Sequence, residues 1–346
     1  MKKYLLPLSL LFLALFTASC NKDWTEEQYE QYVSIVAPMN WNSCTPIYLR
    51  YKGDGKATYE LPIEVTGSTN NIADRDVYLQ EDLDTLNDMN VARFGLYRKD
   101  LYFKAYDKSK YKLPEVVKIP KGESKAIANI EFDLNGIDMN EKWVVPLSLV
   151  SDDSYNYVPH PRKNYSEAIL KINPFNDFSG AYSTSTQTVT LVDEYDNAIG
   201  DAMTTDKRTA YVVDENTIFF YAGLMNEELE DRHKYKIKVR FLNPGTEDAS
   251  LKKIEVFCDN AEDIDFKLHT TPEELKYSTA VIDDSVYPYL EHHYVTINID
   301  YSFNDISSSK DSNGDVVPIR YRATGVMILE RNINTLIPDQ DQAIQW

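Results

Sequence analysis

The chain has 346 residues with 36 basic and 55 acidic side chains, a formal charge of −19. A surface of that sign repels phosphate backbones and anionic lipid heads, which argues against nucleic-acid binding and against electrostatic attachment to a membrane. With 12 glycines, 15 prolines and 3 cysteines, the sequence is neither low-complexity nor a disulfide scaffold, and it must rest on hydrophobic cores.

At the N-terminus Lys2 and Lys3 precede an apolar run from Leu5 to Phe16, and Thr17, Ala18 and Ser19 lead into Cys20. A charged start, a short apolar segment and small residues make a secretory signal over residues 1–19, too short to persist as a membrane-spanning helix. With a cysteine directly after it, the segment resembles a bacterial lipoprotein signal, although Thr17 stands where leucine is usual. The resemblance implies cleavage before Cys20 and acylation of its thiol. Removing residues 1–19 takes away two lysines and no acids, leaving 34 basic and 55 acidic groups and a charge of −21. Attachment to the membrane is then expected through the acyl chains of Cys20 alone, with residues 20–28 as the tether.

From residue 29 to 173 the pattern is that of strands. "PIYLRY" (46–51), "ATYELPIEV" (57–65), "VVKIP" (116–120), "SKAIANIEFDL" (124–134), "WVVPLSLV" (143–150) and "EAILKI" (167–172) carry it. In the fourth of these, Ala126, Ala128, Ile130 and Phe132 share one face, and Ile127, Asn129 and Glu131 the other. About seven short strands in this length suit an immunoglobulin-like β-sandwich. "TLNDMNVARFG" (85–95) reads as a short helix. The turn-forming "INPFNDFSG" (172–180) places the domain boundary after residue 173.

Residues 174–346 contain longer strands, among them "TIFFYA" (217–222), "KYKIKVRF" (234–241), "KIEVF" (253–257), "HYVTINIDYSF" (293–303) and "IRYRATGVMILER" (319–331). "TPEELKYS" (271–278) reads as a short helix, with Thr271 as N-cap and Pro272 at the first position. The whole is predicted to be all-β. Its C-terminal half is either an antiparallel barrel like that of the lipocalins, which we prefer, or a second sandwich.

Catalytic signatures are missing: there is no Gly-x-Ser-x-Gly elbow and no His-Glu-x-x-His zinc helix. "GDGKAT" (53–58) lacks the remaining residues of a phosphate loop and reads as a hairpin turn. Asp263 and Asp265 share a strand face, but no catalytic glutamate follows them. Asp311, Asn313 and Asp315 alternate as calcium ligands do, without the glutamate that would close the shell. His292 and His293, adjacent on a strand, point to opposite faces and cannot jointly hold a metal. No catalytic residue, metal or cofactor is assigned, and the protein is expected not to be an enzyme. Cys44 and Cys258 read as separate buried thiols rather than as a bridge.

Aromatic content is more informative, with 25 Tyr, 13 Phe and 4 Trp. Sugar rings present C–H faces that stack on flat aromatic rings, while amides and charged groups grip their hydroxyls. Two polar segments combine tyrosines with prolines, histidine and acids: "DDSYNYVPHPRKNY" (152–165), with Tyr155 and Tyr157, and "DDSVYPYLEHHY" (283–294), with Tyr287, Tyr289 and His292. Trp41 in "MNWNSC" is a third candidate. The competing reading is that of strand tyrosines whose rings pack on the core.

Taken together, "CNKDW", "EEQYEQYV", "TPIYLRYK", "VVKIPKGESKAIANIEFDLNGIDMNEKWVVPLSLV", "SYNYVPHPRKNY" and "LIPDQDQAIQW" resemble two-domain bacterial surface lipoproteins built from domains of unknown function. Members are usually encoded in polysaccharide-utilisation loci. The resemblance implies a non-catalytic glycan-binding accessory, comparable in role to SusE and SusF. It would be lipid-anchored in the outer membrane, with Asp23 favouring the exterior face, and its partners would be a polysaccharide and a SusC/SusD-like uptake complex. The alternative is a structural or adhesive lipoprotein whose ligand is another protein.

Overall fold

The computed structural model describes residues 26–40 and 43–346. Two sheets face each other in the N-terminal half. The first runs Val158–Pro159, Tyr32–Ile35, Lys56–Thr66, Lys125–Asp133 and Tyr111–Lys112. The second runs Thr45–Arg50, Glu167–Phe175, Lys142–Leu149 and Leu79–Glu81, with Phe103–Ala105 also paired to Lys142–Leu149. Between them Ile35, Leu61, Ile63, Ile130, Leu147 and Leu170 form the centre of a sandwich core. The alternation expected in residues 124–134 holds: Ala128, Ile130 and Phe132 are buried while Ile127 is exposed.

Lys142–Leu149 departs from alternation because it is covered on both sides. Val145 and Leu147 face the sandwich core, and Val144 packs on the other side with Leu86, Phe103 and Ile169. Leu86 belongs to the helix Leu83–Phe94, whose N-cap Asp82 accepts a hydrogen bond from the Thr85 amide and whose C-terminus stops at Gly95 with φ 68°. Cys44 belongs to this small cluster and Cys258 to the barrel core, so the two thiols do not pair with each other.

The C-terminal half is an up-and-down barrel. Gly180–Ser183, Lys207–Asp214, Thr217–Tyr221, Lys236–Leu242 and Lys253–Cys258 pair antiparallel in chain order. Tyr277–Asp283, Leu290–Asp305 and Ile319–Asn334 continue, and the last strand pairs back onto Gly180–Ser183 and Thr188–Leu191. The ring closes through a narrow contact: Lys253 bridges Lys276, the Ile254 amide donates to Leu275 O at 3.0 Å, and the Tyr277 amide to Lys252 O at 3.1 Å. Tyr182, Tyr301, Phe303, Ile297 and Met327 fill the interior. The chain is therefore all-β in two domains.

That closure explains why the helix expected at 271–278 stops after one turn. Thr271 does cap it, with its hydroxyl donating to Glu274 at 2.8 Å and the Leu275 amide returning to Thr271 O. Tyr277, however, gains more by entering the barrel, where it is 4 % exposed, than a short isolated helix could offer it.

Between the domains the expected turn is shorter than its sequence. Ile172 to Phe175 are still strand, pairing in parallel with Ile47 to Arg50. The chain then turns at Asn176, which is 1 % exposed. Its side-chain Nδ2 donates to Asp214 O at 2.8 Å, and its Oδ1 accepts from the Phe178 amide at 3.0 Å. The junction is thus a satisfied buried turn rather than a loose linker.

Candidate functional site

Thr45–Arg50 is an edge strand with strict alternation: Ile47 and Leu49 enter the core, and Tyr48 and Arg50 point outward. Register sets Tyr48 beside Asn173 and Arg50 beside Phe175. At the far end of the chain the short strand Ile344–Gln345 pairs with Asn332 and Ile333 of the barrel, which carries Trp346 back to the same place. Tyr48 and Trp346 then stack with ring centres 4.1 Å apart and planes 8° from parallel. Phe175 meets Trp346 edge-on at 4.8 Å.

Two arginines complete this cluster. The Arg50 guanidinium lies 4.9 Å from the Phe175 ring centre, donates to Asp177 at 2.6 Å and is also bonded to Asp341. Arg331 lies 5.7 Å from the Trp346 ring centre. Such a cation over a ring face adds about 0.5–2 kcal/mol according to how dry the site is. The stack nevertheless remains open to solvent, with Trp346 53 % and Tyr48 39 % exposed.

A groove of about 400 Å³ lies on one side of the stack and one of about 560 Å³ on the other. The first runs along the domain seam and is lined by Asn140, Lys142, Lys171, Asn173 and Glu227 as well as by tyrosines of the barrel. Tyr211 and Tyr221 belong there because Tyr211 pairs with Phe219, and Tyr221 follows Phe219 by two residues, on the same face. The Tyr221 hydroxyl donates to Asn140 Oδ1 at 3.0 Å and that of Tyr211 to Glu227 at 2.6 Å. Burial, reinforced by Glu227, pushes the Tyr211 phenol well above its ordinary value. Burial pulls the Lys142 and Lys171 ammonium groups down. Flat rings beside amide, lysine and carboxylate groups are what a sugar ring requires of a site.

The candidates named from sequence lie elsewhere. Cys20 and Trp41 fall outside the described residues. Tyr157 is 4 % exposed; its hydroxyl donates to Val150 O at 2.7 Å and accepts from the Tyr78 amide at 3.2 Å. It is a core residue with its polar group spent, which removes it from the glycan candidates. Tyr155 is partly buried between Tyr78, at 4.7 Å, and Tyr157, at 5.7 Å. Tyr287 and Tyr289 are exposed on the hairpin between Tyr277–Asp283 and Leu290–Asp305, their ring centres 5.9 Å apart. His292 is held between Asp284, at 2.9 Å, and Glu330, at 2.7 Å, so both ring nitrogens are engaged. Hydrogen bonds to these two carboxylates raise its pKa, and Asp284 falls to about 2, chiefly through the backbone amide of Tyr287 and His292 itself.

Asp265 is likewise occupied, by Arg320 at 2.7 Å and Lys267 at 3.1 Å, and Asp311 caps its own turn by accepting from the Asn313 and Asp315 amides. Among the described residues no group of three or more His, Cys, Asp or Glu side chains is arranged to hold a metal ion, and no helix is long and apolar enough to cross a membrane.

Residues 24–154 match the family of domains of unknown function DUF4973, and residues 166–328 match a model described as "-like, C-terminal". None of the curated proteins matches significantly. Among solved structures, a protein of unknown function from Bacteroides ovatus is 46 % identical, with a TM-score of 0.81 over 91 % of this chain and 100 % of that one. A multidomain protein including DUF1735, also from Bacteroides ovatus, is 43 % identical with a TM-score of 0.78, over 91 % and 100 %. An auxiliary nutrient binding protein from Bacteroides thetaiotaomicron is 38 % identical with a TM-score of 0.76, over 90 % and 100 %. The chain thus belongs to this family of two-domain, all-β Bacteroides proteins, with a DUF4973 domain as its N-terminal half.

Proposed function

We propose that the protein is a non-catalytic accessory that captures glycan at the cell surface. The observation that carries this reading is the half-exposed Tyr48–Trp346 stack, which lies between two grooves with amide, lysine and carboxylate groups on their walls. The nutrient-binding role named for the 38 % identical Bacteroides thetaiotaomicron relative supports it. In this reading Cys20 carries the lipid that holds the chain to the outer membrane, facing outward, and the captured glycan passes to a SusC/SusD-like uptake complex.

Isothermal titration of the mature chain against a panel of oligosaccharides tests the reading. Binding without release of product is expected, and the paired substitution Tyr48→Ala with Trp346→Ala should weaken it by about 1–3 kcal/mol, the worth of two stacked rings. Silence across the panel would transfer the protein to the competing reading, an adhesive subunit with a protein ligand. What favours that alternative is the set of exposed apolar side chains on and beside the barrel hairpin, Ile282, Val286, Tyr287 and Leu336. Mass spectrometry of the mature N-terminus checks the anchor, with an acylated Cys20 expected.

A further inference from the structure

Even in a chain this acidic, many cations lack a carboxylate partner, and what sets two of them apart is the cavity they share. Around the seam some are paired: Arg50 with Asp177 and Asp341, Lys236 with Asp138, Arg322 with Asp300. Arg331 and Lys252 are not, among the described residues. Arg331 spends Nη2 on the carbonyls of Asn176, at 2.9 Å, and Ser179, at 2.8 Å, while its Nε and Nη1 have no hydrogen-bond partner there. Lys252 donates to the Thr279 hydroxyl at 2.7 Å and makes no ion pair.

The two cations face one cavity. Val281, His293 and Arg331 stand in one row across three strands, and Thr279, Val295 and Leu329 in the next row inward. Deeper still, Tyr277, Ile297 and Met327 are sealed in the core. The barrel face therefore opens at its mouth into a space of about 850 Å³, walled on the far side by the 244–249 loop and by Arg50. From strand spacing and rise, Thr279 and Arg331 lie roughly 12 Å apart along this face. Among the described residues no carboxylate on the wall is within ion-pair distance of either cation, although Asp177 and Asp341 act on Arg331 through space: Glu291 is bonded to His293 at 2.9 Å, Asp177 to Arg50, and Glu247 stands exposed on the loop.

Three N–H donors of Arg331 are thus left for an incoming anion. Because Nη2 is spent, a carboxylate or sulfate would be held through a single charge-assisted hydrogen bond from Nε or Nη1. We infer that the cavity at the barrel mouth binds the carboxylate or sulfate group of an acidic saccharide, with Arg331 donating through Nε or Nη1 and Lys252 as the second cation. This rests on the glycan-capture reading and names its substrate class. The two sites are continuous, because the guanidinium that lines the cavity is the one lying over Trp346.

The test compares oligogalacturonide with its methyl ester, which has the same rings without the charge, and adds a sulfated galactan oligosaccharide, all titrated against the mature chain. The acid or the sulfated form should bind at least tenfold more tightly than the ester, and whichever binds better identifies the group. Arg331→Met should erase that difference and Arg331→Lys restore part of it. Lys252→Met, which removes a side chain bonded only to a surface hydroxyl and leaves the backbone contact with Tyr277 in place, should narrow the gap severalfold, and it keeps the test valid if Arg331→Met fails to fold. Equal affinity for ester and charged forms, or a charge preference that survives Lys252→Met and Arg331→Met in folded protein, would overturn the inference. Binding of neutral glycans alone would overturn it too while leaving the Tyr48–Trp346 reading standing.

Discussion

The tyrosine-rich segment at 152–165 and the domain seam both gather aromatic rings, but they put them to opposite uses. In the first, three consecutive features of the sequence converge inward: Tyr157 is buried, its hydroxyl bonds two backbone groups, and Tyr155 leans on it and on Tyr78. At the seam, Tyr48 and Trp346 come from opposite ends of the chain and keep their stacked rings in contact with water. Local density of tyrosine therefore signals a ring cluster without saying whether it faces a ligand. What distinguishes the two is the phase of the strand and the fate of the hydroxyl.

The contrast can be broken most sharply at Tyr157. Tyr157→Ala should cost about 3–5 kcal/mol in urea unfolding, as large aromatic truncations in cores do, while leaving glycan affinity of the folded protein intact. The seam should behave in reverse. Tyr48→Ala with Trp346→Ala should reduce stability by less than about 1.5 kcal/mol, the coupling of one aromatic pair, yet remove most of the binding. If unfolding shows losses at the seam as large as at Tyr157, the stack is cement between domains rather than a platform.

A smaller effect sharpens the comparison at the barrel hairpin. Tyr287→Ala with Tyr289→Ala should change affinity by no more than about 1 kcal/mol, and a loss exceeding that of the seam pair would move the site to the hairpin.

The last test concerns pH. His292 has a folded pKa raised by Asp284 and Glu330, so its contribution to hairpin order is fully present below the unfolded value of about 6.5 and is lost as pH rises through the folded pKa. Asp284 works the other way, contributing above its unfolded value of about 4 and losing this as pH falls toward about 2. An NMR titration should place His292 above 6.5, and His292→Gln should remove the step on the alkaline side.

Much of the fold could be read from the chain because alternation survives in the strands that bury one face. Residues 124–134 and 234–241 show it plainly, and the short helix read at 85–95 is present as Leu83–Phe94. Barrel closure was hidden, since the cap, proline and acids of "TPEELKYS" are genuine helix signals outweighed by burial of Tyr277. The site was hidden for another reason. Tyr48 sits at an outward position of a strand whose neighbours are apolar, which is a faint signal, but nothing in the sequence joins it to Trp346. That pairing depends on a two-residue strand at the end of the chain finding its register beside Asn332 and Ile333. Arg50 and Arg331 were invisible for the same reason, as their roles follow from which acids reach them.

Asn176 leaves the passage between the domains with no slack. A surface that must be assembled from two mobile bodies surrenders orientational freedom each time a ligand arrives, and that loss is subtracted from affinity. Here the loss is taken once, during folding, when a single amide is sealed against Asp214 and Phe178. Under the proposed glycan capture, a polysaccharide reaching the seam would meet Tyr48 and Trp346 already in register, so even weak individual contacts along a long polymer would add up to retention.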